Sequence, residues 1–240
     1  MAKKLRIDKV LSTIGCGSRA EIKRYCKYGI ISVNGEIVSN PGLQVDPEND
    51  EIMFEGEVVK YREFVYLMLN KPDGYISATF DKFDPIVLDL IDPEYLIYEP
   101  FPVGRLDKDT EGLLVITNDG KLSHRVLSPK KHVPKTYYAK VDGVVTQEDI
   151  KAFDKGVILD DGYETMPAQL NILVSGETSE VELTIHEGKF HQVKRMFESV
   201  GKKVVYLKRL SMGKLKLDES LALGEYRELT EEEIKQMEER

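Results

Sequence analysis

The six residues GLLVIT, Gly112 to Thr117, carry no charge at either alternate position. Successive side chains of a strand point to opposite faces, so a run apolar on both faces must lie inside a sheet that is covered on each side. At 240 residues the chain is long enough to supply that cover. Further strand-like runs occur at 65–72 (VYLMLNKP, stopped by its proline, with Gly74 turning the chain after it), 135–141 (KTYYAKV), 168–174 (AQLNILV), 180–186 (EVELTIH) and 204–210 (VVYLKRL). They interleave with helical patterns, TQEDIKAF at 146–153 and FHQVKRMFESVG at 190–201, without the regular alternation of a doubly wound sheet. This pattern indicates an α+β domain. The tail LTEEEIKQMEER reads as a charged structural helix starting at Thr230.

The first sixty residues form a pattern of their own. LRIDKVLSTIG places Leu5, Ile7, Val10, Leu11 and Ile14 on a helical stripe that ends at Gly15. Ser18 and Glu21 make a capping-box pair for a second helix, SRAEIKRYCKYG, which Gly29 stops. IISVNGEIV then gives two short strand runs joined by Asn34-Gly35, a strong tight-hairpin signal. The mixed, charged stretch GEVVKYREF at 56–64 separates this unit from the next strand, so two domains are expected, 1–60 and 61–240.

With 34 basic and 42 acidic residues, the net charge of −8 argues against nucleic-acid binding through overall attraction. The distribution matters more. Lys3, Lys4, Arg6, Lys9, Arg19, Lys23, Arg24 and Lys27 face only Asp8 and Glu21 within the first thirty residues. Such a patch suits a phosphate backbone, because each neutralised phosphate releases counterions; solvated helix faces are the plainer reading. Cys16 and Cys26 lack metal-ligand or redox-motif spacing, and no apolar N-terminal segment suggests a leader or membrane span. A reducing cytoplasmic setting without membrane contact is expected.

The stretch GRLDKDTEGLLVITNDG, 104–120, admits three readings. Asp107, Asp109 and Glu111 at alternate positions, with Gly112 sixth, match the opening of a calcium loop, but Asn118 stands where the closing bidentate glutamate belongs. The four histidines lie in separate segments without paired-ligand spacing, so no metal site is expected. A bland turn entering a core strand explains most of the pattern, yet not Arg105 beside Asp107. A loop at the end of a core strand is also where a scaffold presents a catalytic carboxylate.

This stretch closely resembles the signature of RNA pseudouridine synthases, in the branch that modifies ribosomal RNA. LNKPDGYISAT (69–79), KTYYAKV (135–141) and EGKFHQVKRMF (187–197) agree with that family in order. Residues 5–50 resemble the small RNA-binding module first known in small-subunit ribosomal protein four. The resemblance implies a mixed, largely antiparallel sheet with flanking helices, preceded by a helix–helix–hairpin module. It also implies conversion of uridine to pseudouridine with neither metal nor cofactor.

On the family motifs Asp107 is the catalytic aspartate, adding either to the sugar or to the base ring. Tyr137 is the tyrosine that stacks on uracil and assists proton removal, and Lys194 is the cation that pairs with Asp107, where many relatives have arginine. Arg105 enters the stack left by the extruded nucleotide, and Leu207 lies against the base. Arg195 and the N-terminal Lys9, Arg19, Lys23, Arg24 and Lys27 are RNA-binding candidates. An RNA path is also expected along Lys121, His124, Arg125, Lys130, Lys131, Lys135, Lys189, Lys202, Lys203, Lys208 and Arg209. Lys71 of the NKP motif is expected to be supportive. Plainer alternatives exist for each: Tyr137 as core, Lys194 as a surface helix lysine, Arg105 paired to Asp109, Leu207 as ordinary core. The motif LNKPDGYISAT and the ending LALGEYRELTEEE look closest to enzymes of small-subunit 16S ribosomal RNA, which makes that RNA or the assembling small subunit the expected partner of a monomeric enzyme. Large-subunit RNA, or a noncatalytic assembly role, is the alternative.

Overall fold

The computed structural model describes residues 4–239, so Lys3 of the basic patch lies outside the described residues. The chain divides into two compact units, one running through Val65 and including Pro93–Glu99, the other formed by Tyr66–Asp92 and the chain from Pro100 onward.

In the first unit α1 spans Ile7–Thr13 and α2 spans Arg19–Tyr28. The apolar stripe extends further back than α1, because Leu5–Arg6 instead pair as a short antiparallel strand with Gln44–Val45. Ser18 and Glu21 form the reciprocal cap of α2, and Gly29 closes it in the left-handed conformation at φ 70°. β1 (Ile31–Val33) and β2 (Glu36–Ile37) meet through Asn34 and Gly35, whose φ values of 51° and 82° are those of the tight hairpin turn. β3 (Ile52–Phe54) and β4 (Glu57–Val58) complete a sheet of order β2-β1-β3-β4. Ile7, Val10, Leu11, Ile22, Cys26, Ile31 and Ile52 form its core.

The second unit is built on a seven-strand path. Its strands are β5 (Tyr66–Lys71), β6 (Glu111–Thr117), β7 (Lys135–Asp142), β8 (Gln169–Val174), β9 (Thr178–Ile185), β10 (Lys203–Met212) and β11 (Tyr226–Glu228). The order is β8-β9-β7-β10-β6-β5-β11, with Phe101–Pro102 added on β6 and Leu215–Lys216 on β10. All neighbours run antiparallel except β10 and β6, which are parallel and pair at Lys208–Glu111 and Arg209–Gly112. The sheet is thus two antiparallel halves joined at one parallel seam.

As expected from its apolar run, β6 is buried on both faces from Gly112 to Thr117. One core packs Leu113 and Val115 of β6 and Met68 of β5 against Leu122 and Val126 of α3 (Gly120–Leu127). Met237, beside the tail helix α6 (Glu231–Gln236), belongs to the same core. α4 (Gln147–Lys155) and α5 (Gln192–Ser199) lie between β7 and β10 in sequence, and Phe153 meets Phe197 edge-on at 5.0 Å. Among the described residues, no helix is long and apolar enough to cross a membrane.

Candidate active site

Asp107 sits in the loop that leads into β6, where its carbonyl accepts the N–H of Thr110 at 3.1 Å. The register Lys71–Gly112 between β5 and β6 brings Lys71 beneath this loop. Lys71 is fully buried, and its Nζ donates to the carbonyls of Pro72 (3.0 Å), Lys108 (3.1 Å) and Thr110 (2.8 Å). Burial pulls its pKa down to about 8, against the opposing pull of Asp73, Asp109, Asp107 and Glu111. A fixed cation therefore ties the backbone just after Asp107 to the end of β5.

α5 supplies the opposite wall. Val193, Met196 and Phe197 turn into the core, which leaves Lys194 facing the loop with its side chain largely covered. Lys194 Nζ lies 3.3 Å from Asp107 Oδ2 and 2.6 Å from Asp109 Oδ1. The cation is shared, and its shorter contact is with Asp109, not Asp107. Burial lowers the lysine pKa, but the two carboxylates outweigh it and the net direction is upward. Burial likewise raises the Asp109 pKa, and Lys194 reverses this to leave the carboxyl below its ordinary value.

A cavity of about 80 Å³ opens beside Asp107, lined also by Arg105, Thr110, Tyr137, His191 and Leu207. Lys189 lines it too, so five residues named from the sequence share one pocket. Tyr137 is buried on the covered face of β7, while Tyr138 on the other face donates to Glu180 at 2.7 Å. Arg105 is exposed, and Asp109 is engaged by Lys194 instead of by Arg105. Sequence reasoning passed over His191, whose Nε2 lies 3.6 Å from Asp107 Oδ1 and whose ring stacks on Phe190 at 3.7 Å. It also passed over Thr110, whose buried hydroxyl has no partner among the described residues. Spacing alone gave no signal for either, since their surroundings are set by the fold.

The three acids of the motif turn to two partners, not to one centre: Asp107 and Asp109 to Lys194, and Glu111 to the Tyr206 hydroxyl at 2.5 Å. Among the described residues, no group of three or more His, Cys, Asp or Glu is placed to hold a metal ion. Arg195 is turned away to Asp160 and Asp161. Several cations of the expected RNA path are internal as well. Arg209 is 2 % exposed and donates to the Leu113 carbonyl, and Lys135 is buried against the Val133 carbonyl with its pKa lowered to about 8 by burial and by Arg209. Arg125 pairs with Glu238 and Lys202 with Asp149. Lys121, Lys130, Lys131, Lys189 and Lys203 are exposed. In the first unit Lys9, Arg19, Lys23, Arg24 and Lys27 are exposed, whereas Arg6 is held by Asp8 at 2.7 Å.

A carboxylate beside a shared cation, a buried tyrosine and an apolar wall are groups that nucleophilic chemistry can use. Residues 65–199 match the RNA pseudouridylate synthase family and residues 5–52 match the S4 domain. The chain belongs to the RNA pseudouridylate synthase family and is an enzyme that isomerises uridine to pseudouridine in RNA. It is 53% identical over 232 residues to the "Uncharacterized RNA pseudouridine synthase YtzG" of Bacillus subtilis (strain 168), a match covering 96% of this chain and 97% of the relative. It is 41% identical to the ribosomal small subunit pseudouridine synthase A of Escherichia coli (strain K12), over 96% and 98% of the two chains. A crystal structure of a pseudouridylate synthase superposes with a TM-score of 0.68 at 40% identity, covering 97% of this chain and 99% of that one.

Proposed function

We propose that the chain is a ribosomal RNA pseudouridine synthase acting on small-subunit RNA, with Asp107 as its nucleophile. The observation that carries this reading is that Asp107 is paired with Lys194 and lines the same pocket as Tyr137. The reaction breaks the bond from ribose to a uracil nitrogen, turns the base, joins ribose to carbon five, and moves the carbon-five proton to solvent while the freed nitrogen takes one up. The attack starts from the Asp107 carboxylate, whose Oδ2 lies 3.3 Å from Lys194 Nζ, and the bond it forms is broken again when product leaves. Tyr137 stacks on the ring and assists departure of the carbon-five proton, Leu207 closes the apolar wall, and Arg105 fills the gap that the extruded nucleotide leaves.

Residues 1–60 serve as the RNA-binding module, through Lys9, Arg19, Lys23, Arg24 and Lys27, and residues 61–240 as the isomerase, working as a monomer in the cytoplasm without a cofactor. Support for the small-subunit target comes from the relatives of that name, which match this chain over nearly its full length. The test is pseudouridine mapping on unmodified small-subunit RNA and on partly assembled subunits, with the wild-type chain or Asp107→Asn. A modified position that appears only with wild type is expected. Product from Asp107→Asn at the wild-type rate overturns the nucleophile, and product only on large-subunit RNA overturns the target.

A further inference from the structure

Between β5 and β6 the chain makes a long excursion, and its tip, Phe80 to Asp84, shows two aromatic rings to solvent. Phe80 is 80% exposed and Phe83 is 87% exposed. The rings do not hang on a loose loop. Asp81 Oδ1 accepts the N–H groups of Phe83 at 2.8 Å and Asp84 at 2.9 Å, which fixes the turn that displays them.

The excursion is also fastened to the residues on either side of Asp107. Ser77 Oγ donates to the Leu106 carbonyl at 2.9 Å and accepts the Leu106 N–H at 3.0 Å. The Gly74 N–H donates to the Lys108 carbonyl at 2.9 Å, and Lys108 Nζ holds Asp84 at 2.6 Å. Through the Lys108–Asp84 link, summed bond lengths keep Phe83 within about 20 Å of Asp107. A distance of that size is spanned by the few nucleotides that flank a uridine delivered to Asp107.

Large apolar rings left in water call for a partner. The chemistry beside them favours nucleic acid. Both acids of the tip are engaged internally, Asp81 by backbone and Asp84 by Lys108, while the exposed Lys82 lies 5.5 Å from the Phe83 ring centroid. Aromatic faces next to cations are how proteins hold unpaired bases, and extrusion of a uridine requires unpaired RNA around it.

We propose that Phe80 and Phe83 form a stacking platform for unpaired bases flanking the target uridine. The proposal rests on Asp107 marking the reaction centre. The test compares Phe80→Ala/Phe83→Ala, Phe80→Trp/Phe83→Trp and Asp107→Asn on protein-free, unmodified ribosomal RNA transcripts of both subunits and on partly assembled subunits. Affinity is read by filter binding and turnover by pseudouridine formation, with thermal midpoints confirming that each variant is folded.

A base–aromatic stack is worth roughly 5- to 150-fold in affinity, so the alanine pair should raise Kd and KM by at least that range's lower end, leaving kcat near wild type. The tryptophan pair should restore both. Wild-type affinity of the alanine pair on protein-free RNA, or a tryptophan pair as weak as the alanine pair, overturns the platform. A defect confined to protein-bearing subunits also overturns it, and assigns the rings to a protein partner. Asp107→Asn should bind as wild type and make no product; activity there would instead sink Asp107 as the reaction centre.

Discussion

Replacing Lys71 by methionine keeps most of the side-chain volume and removes the charge that ties the Asp107 loop to β5. Three hydrogen bonds from a cation to carbonyls are worth about 5–9 kcal/mol before the cost of burying the charge. That cost is read from the pKa, lowered from 10.5 to about 8, and amounts to about 3 kcal/mol. One of the three carbonyls, that of Lys108, keeps the Gly74 N–H when Lys71 is gone. The expected net loss is therefore about 3 kcal/mol, visible in urea as a midpoint lowered by about 1–2 M. A carboxylate displaced by about 1 Å costs on the order of 10²-fold in rate, and kcat should fall by that much with KM for RNA near wild type. A pH signature separates this from a plain packing defect. Between pH 8 and 10.5 the unfolded chain binds a proton at Lys71 that the folded chain has released, so wild-type stability gains with rising pH across that window. The difference between wild type and Lys71→Met should therefore widen from pH 8 to 10.5. A variant with wild-type midpoint and kcat, or a difference flat in pH, would refute the reasoning.

Two further changes probe the same centre. Gly112→Ala would place a Cβ 2.3 Å from the Arg209 carbonyl oxygen, at a φ of 99°, and should cost about 4 kcal/mol or more by forcing the seam apart; a urea midpoint within 0.5 M or so of wild type would contradict this. Lys194→Ala leaves Asp107 and Asp109 without their shared cation and should lower kcat about 10²-fold, while Lys194→Arg recovers most of the loss; equal rates for the two variants in single-turnover assays would show that charge is not the issue.

Much of this architecture is local enough to read from the chain. The Ser18–Glu21 cap, the Asn34-Gly35 turn and the two-sided apolar run of β6 each depend on residues a few positions apart, and each is found as expected. The opposite faces of Tyr137 and Tyr138 agree with strand alternation, whereas the pocket shared by Asp107, Arg105 and Leu207 was expected only from the family resemblance. What escaped is the set of charges whose partners lie far along the chain. Arg209 and Lys135 look like surface cations, but β7 and β10 pair with register shifts at Thr136/Tyr137 and Lys140/Val141, and both residues turn inward onto carbonyls. Lys194 reads as a partner of Asp107 alone, and only the fold reveals Asp109 at the shorter distance. His191 gains its place from a left-handed backbone at φ 50°, which the residue type does not announce.

The parallel seam of β6 and β10 also governs how the enzyme comes into being. Asp107 and Lys194 are 87 residues apart, and β10 lies further still toward the C-terminus. On a ribosome adding about 5–20 residues per second, β6 waits roughly 5–20 s for the strand that closes its open side. In that interval β5 pairs one edge of β6 and Phe101–Pro102 pairs the far end of the other, so the edge left open is the stretch at Glu111–Gly112, and an unpaired backbone edge is a template for other chains. A slower ribosome lengthens that interval, and the exposure of the open edge with it. The centre that later opens RNA is itself assembled late, after its own unpaired strand has been protected from the wrong partner.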